Sequence, residues 1–108
     1  MKYYPDKWCL LSFEIDGKTQ YKIAGSWYGR YTTGDSWRVN SGVKSIKNNL
    51  DNRTMEIEGF SGSIYVCPID NYGCSMYTAA VLGSHEAFTR IDDREEALRI
   101  LSNKENFK

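Results

Sequence analysis

The chain has 108 residues, 41% of them hydrophobic and 14% aromatic, and its 14 basic residues balance 14 acidic ones to a formal net charge of zero. That length and apolar content point to one domain over residues 1–108, able to bury a core without a metal or disulfide staple. The charge balance argues against a dedicated duplex-DNA binder, and the aromatic content argues against disorder. No apolar run nears the roughly 20 residues of a membrane-spanning helix.

Residues 1–6 lack the apolar stretch of a secretory signal. From Lys7 to Ile15, the residues Cys9, Leu11, Phe13 and Ile15 alternate and share one face of a strand. Asp16-Gly17 marks a turn, and Thr19, Tyr21 and Ile23 alternate beyond it. A three-residue loop, Asp16 to Lys18, sets Phe13 opposite Tyr21 and Leu11 opposite Ile23. A two-residue loop sets Phe13 opposite Gln20. A one-residue slip exchanges the faces, so burial selects the three-residue loop.

Glycine and aromatic residues then alternate loosely through residues 25–38, with a turn at Thr33-Gly34-Asp35-Ser36. Trp37 and Val39 begin a short strand that closes at Asn40-Ser41-Gly42. Val43 to Lys47 reads as a strand, and residues 48–52 as a polar loop. Met55 and Ile57 alternate with Glu56 and Glu58 in a half-buried strand. Gly59-Phe60-Ser61-Gly62 turns the chain back into Ile64, Tyr65, Val66 and Cys67. A three-residue loop pairs Ile57 with Tyr65 and Met55 with Cys67, and a two-residue loop pairs Ile57 with Val66. The pattern leaves both open. Residues 77–82 fit either a strand or a helix, and the bracketing Gly73 and Gly83 favour the strand. A helix is expected over residues 93–103, capped by Asp92 with Glu95 as its capping-box partner, and with Ala97, Leu98 and Leu101 as its apolar stripe. The expected architecture is α+β: six or seven antiparallel strands, strongly bent or barrel-like, with one C-terminal helix.

Three cysteines, Cys9, Cys67 and Cys74, form an odd set without framework spacing and read as reduced thiols of a cytoplasmic protein. With His85 they supply ligand types for zinc, but not the close pairs that structural zinc sites use. No metal and no cofactor is therefore expected. Cys74 and His85 are the one nucleophile–base pairing on offer, and no motif supports it. Glu56 and Glu58 are explained as a solvated strand face. No glycine-rich turn has the spacing of a phosphate cradle. Asn52-Arg53-Thr54 matches a glycosylation sequon, which has no use without a secretory route. An enzyme is not expected.

The densest chemistry lies in residues 27–40. Trp27, Tyr28, Arg30, Tyr31, Asp35, Trp37, Arg38 and Asn40 combine flat aromatics with guanidinium and amide groups. Such residues anchor protein interfaces, and they also stack on planar ligands or single-stranded bases. The competing account puts Trp27 and Trp37 in the core and pairs Arg38 with Asp35.

At Ser26-Trp27-Tyr28-Gly29, at Gly34-Asp35-Ser36-Trp37-Arg38-Val39-Asn40-Ser41-Gly42-Val43 and at Ser61-Gly62-Ser63-Ile64-Tyr65, the chain resembles small accessory proteins of tailed phages, including cyanophages. The resemblance covers the middle third of the chain and brings no catalytic residues with it. It implies a non-enzymatic binding protein that acts on a host or phage protein, in the host cytoplasm if phage-encoded. The expected partner is a protein, with no membrane contact, and the chain is expected to be a monomer or homodimer. The alternative is a module for small ligands or single-stranded nucleic acid that uses the same aromatics.

Overall fold

A computed structural model describes residues 1–30, 34–49, 51–73 and 88–107. These residues form the strands β1 (Lys2–Tyr3), β2 (Lys7–Ile15), β3 (Lys18–Arg30), β4 (Gly34–Val39), β5 (Ser45–Asn49), β6 (Thr54–Glu58), β7 (Ile64–Pro68) and β8 (Thr89–Ile91), and the helix α1 (Arg94–Ser102). One sheet has the order β1-β7-β6-β5 and the other β4-β3-β2-β8. Every named ladder except β1–β7 is antiparallel and one C-terminal helix follows, as expected, but the strands lie in two sheets and do not close into a barrel, so the barrel-like expectation is corrected. In the β3–β4 ladder the register shifts between Trp27 and Arg30. That is a local irregularity, not a continuous bend.

The β2–β3 hairpin also has the other register. Ile15 pairs with Lys18, Phe13 with Gln20 and Leu11 with Lys22, across a two-residue loop. Asp16 and Gly17 both take positive φ, 53° and 78°. Two left-handed residues are what a tight hairpin turn needs to match strand twist, and Asp-Gly supplies them cheaply. Burial did not discriminate because β2 is covered on both faces. Trp8 and Leu10 enter one cluster, while Cys9 and Leu11 enter another with Ala24. The tip of the hairpin extends past both clusters, leaving Ile15 53% exposed.

The second hairpin pairs Ile57 with Tyr65 and Met55 with Cys67, the longer-loop alternative. Alternation then places Met55, Ile57, Tyr65 and Cys67 on the inner face of their sheet. They meet Trp8, Leu10 and Ile23 of the other sheet, and Ala97 and Leu101 of α1 close the same core. Asn48 and Asn49 belong to β5 and not to a loop. Trp8 links the layers directly: its indole Nε1 donates to the Pro68 carbonyl at 2.7 Å, and its ring meets Tyr72 edge-on at 4.8 Å. Tyr72 in turn bridges β2 and β8, since its hydroxyl accepts from Leu10 N at 2.9 Å and donates to the Ile91 carbonyl at 2.5 Å.

The helix begins one residue later than expected. Asp93 is its N-cap, accepting from Glu95 N at 3.2 Å, while the Asp92 carboxylate is engaged by Arg90. An extended backbone at the capping position lets a short carboxylate reach the first free amides, and here that residue is Asp93. Among the described residues, no helix is long and apolar enough to cross a membrane. The expected strand over residues 77–82 lies outside the described residues.

Candidate functional site

Two connections meet at one end of the sandwich. The Asn40-Ser41-Gly42 turn leads from β4 in one sheet to β5 in the other, and residues 59–63 link β6 to β7. Ser61 N donates to Ser41 Oγ at 2.9 Å, and the two hydroxyls lie 3.2 Å apart. Gly42 carries φ +135°, and a Cβ placed there would stand 2.7 Å from the Phe60 ring. Glycine at this position therefore lets the ring lie on the turn. Gly59 allows a similar approach, because a Cβ there would meet Ser41 Oγ at 2.7 Å.

Asn40 holds the turn to the sheet. Its backbone N–H donates to the Ile23 carbonyl at 2.9 Å, and its Oδ1 accepts from Ile23 N at 2.8 Å. The same Oδ1 accepts from Gly42 N at 3.2 Å, and Nδ2 donates to the Gly42 carbonyl at 2.7 Å. The side chain is buried and fully engaged, so its visible work is to fix this connection.

On one side of the turn lies a cleft of about 300 Å³ lined by Tyr3, Arg38, Val39, Asn40, Ser41, Ser61, Ser63 and Tyr65. The Arg38 guanidinium sits over the Tyr3 ring, 4.7 Å from its centroid. Tyr3 is itself packed against Tyr65 at 5.4 Å and Trp27 at 6.4 Å. Among the described residues, no carboxylate pairs with Arg38. On the other side is a cleft of about 440 Å³ lined by Phe13, Ile15, Tyr21 and Phe60, with Lys18 and Lys22 at its rim. Phe60 is 67% exposed, and Lys22 Nζ lies 5.5 Å from the Phe13 ring centroid. Ser41 lines both clefts, and Phe60 and Ser61 are neighbours in the chain, so the two form one surface. Among the described residues, that surface carries Arg38, Lys18 and Lys22 against one lining carboxylate, Asp16. The balancing acidic groups lie elsewhere: Glu56 pairs with Lys2 at 3.1 Å, and Asp92, Asp93, Glu95 and Glu96 cluster at the start of α1.

Of the residues expected from sequence to form a site, Trp27, Arg38 and Asn40 are placed. Trp27 is half-buried, with its indole Nε1 donating to the Tyr4 carbonyl at 3.0 Å. Arg38 is exposed on Tyr3, and Asn40 is buried beneath the cleft. The backbones of Tyr28, Arg30, Asp35 and Trp37 lie in β3 and β4, and their side chains fall outside the description. Tyr31, Cys74 and His85 lie outside the described residues. Tyr3, Ser41, Phe60, Ser61, Ser63 and Tyr65 were not anticipated as site residues, because only the pairing of β1 with β7 and the crossing between sheets bring them together.

Two buried groups sit behind the cleft. Burial pushes the Tyr65 phenol up to about 12, slightly offset by the nearby Arg38 charge. Burial likewise pushes the Cys67 thiol well above its ordinary range. Both keep their protons in the folded chain at pH values where the unfolded chain has lost them. Their contribution to stability is thus complete below about pH 8.5 and declines as the pH rises through the ordinary thiol and phenol ranges. A urea midpoint clearly lower at pH 11 than at pH 8 is expected, with Cys67 resisting iodoacetamide at pH 8 until urea unfolds the chain. Rapid alkylation of Cys67 in the native protein at pH 8 would contradict its burial.

No protein-family model, no curated protein and no solved structure matches the chain.

Proposed function

We propose that the chain is a non-enzymatic binding protein whose recognition surface is the double cleft around Ser41. In line with its resemblance to phage proteins, we read it as an accessory factor that engages a host or phage protein. The observation that carries this reading is the joining of an exposed apolar pocket, floored by Phe60, to a cationic cleft headed by Arg38. An aromatic anchor beside an arginine is the usual composition of an interface centre. The excess of lining cations over carboxylates fits a partner segment that sets an apolar side chain next to acidic ones.

The immobilised protein should retain a specific partner from a lysate of its native cells. Arg38→Ala should weaken that retention about tenfold or more while changing stability by less than about 1 kcal/mol. Undiminished retention by Arg38→Ala would refute this placement of the surface. A second reading, a small planar ligand or single-stranded nucleic acid, draws on the aromatic group of Tyr3, Trp27 and Tyr65 around Arg38. It predicts retention of a single-stranded oligonucleotide that falls steeply with added salt.

A further inference from the structure

We infer that the cleft beside Arg38 is an oxyanion subsite that takes a carboxylate or phosphate group. This deepens the binding reading, and rests on it for the source of the group, an acidic or phosphorylated side chain of the partner. Three observations carry it. The guanidinium is positioned before any ligand arrives, because Tyr3 holds it at 4.7 Å and Tyr3 is fixed by Tyr65 and Trp27. Its fork of N–H donors is bound to no carboxylate among the residues whose side chains are described. The same cleft is lined by the hydroxyl residues Ser41, Ser61 and Ser63 on a braced loop.

The hydroxyl arithmetic is specific. Ser41 Oγ already accepts from Ser61 N, and the Ser41 and Ser61 hydroxyls share one contact at 3.2 Å. Two hydroxyls joined by one hydrogen bond leave one hydrogen for a third group, whichever of them donates. Ser63 brings a further hydroxyl to the same cleft, and Gly59 N donating to the Ser63 carbonyl at 2.9 Å holds its loop closed. A guanidinium that shares a cleft of about 300 Å³ with two available hydroxyl hydrogens matches an oxyanion in both charge and donor count. The described lining offers no carboxylate to repel it.

The test is an amide NMR titration of the full-length protein with sodium acetate and, separately, sodium phosphate, with ionic strength held constant by chloride. Saturable shifts are expected at the Arg38 side-chain Nε–H and at the Ser61 and Ser63 amides. The tighter of the two anions identifies the occupant as carboxylate or phosphate. Arg38→Gln should weaken binding about tenfold or more. Ser63→Ala should weaken it less, and in both variants the amide shifts remote from the cleft should stay unchanged. No saturable response to either anion, or equal affinity in wild type and Arg38→Gln, would overturn the subsite. A partner captured without any anion response would remove the subsite and leave the binding reading standing. An anion response without a captured partner would do the reverse.

Discussion

Trp8→Ala is expected to destabilise the protein by about 3–5 kcal/mol, the largest single effect of any substitution considered. Trp8 has no exposed surface and joins the two sheets. Truncation would open a cavity where the indole meets Tyr72 and would strip the Pro68 carbonyl of its Nε1 donor. A small domain has about 5–15 kcal/mol in total, so a large share of the folded state's margin is at stake. Trp8→Phe should recover much of the packing but not the hydrogen bond, and should fall between wild type and alanine. Urea denaturation read by circular dichroism checks this. A loss below about 1 kcal/mol for Trp8→Ala would mean that the sheets are not joined through this side chain.

Asn40→Ala is expected to cost about 2–4 kcal/mol, although the residue contributes almost no apolar surface. Its amide satisfies Ile23 N, Gly42 N and the Gly42 carbonyl at once, in a buried position only 7% exposed. Alanine leaves two donors and one acceptor without partners, and each buried polar group left unmade costs more than a made one gains. Asn40→Asp is the diagnostic companion. It keeps the acceptor for Ile23 N and Gly42 N but sets a carboxylate oxygen against the Gly42 carbonyl, so it should also destabilise. Denaturation midpoints of both variants test this. Because Asn40 lies beneath the cleft, weaker partner binding in these variants reports a loosened wall and not a lost contact. Arg38→Ala separates the two effects, since Arg38 stands outside the core.

Much of the scaffold follows from local pattern. The alternation in residues 55–58 and 64–67 marks a hairpin with one buried face, and that pairing is found. The apolar stripe of Ala97 and Leu101 predicts the helix and its buried side. The register of the β2–β3 hairpin follows the turn and not the burial pattern. With both faces of β2 covered, the left-handed Asp16-Gly17 pair is the deciding local term. Trp8 was overlooked for the same reason. An alternation argument that follows Cys9, Leu11 and Phe13 assigns the intervening residues to solvent, whereas Trp8 and Leu10 fill the larger core. The clefts were out of reach of any local pattern. Tyr3, Arg38 and Ser61 come from three separate segments, and only the parallel pairing of β1 with β7 and the crossing of residues 40–44 between sheets bring them together. One sequence signal was available. Arg38 lies within the aromatic-rich stretch, and its place over Tyr3 in a cleft with Ser41, Ser61 and Ser63 is the part that required coordinates.

The most direct test of the account is partner capture by an Arg38→Ala/Phe60→Ala double variant beside the wild type, with melting temperatures measured on the same preparations. The wild type should retain a partner that the double variant loses, at nearly equal melting temperatures. Equal retention by both proteins, or no specific partner for the wild type, would contradict it.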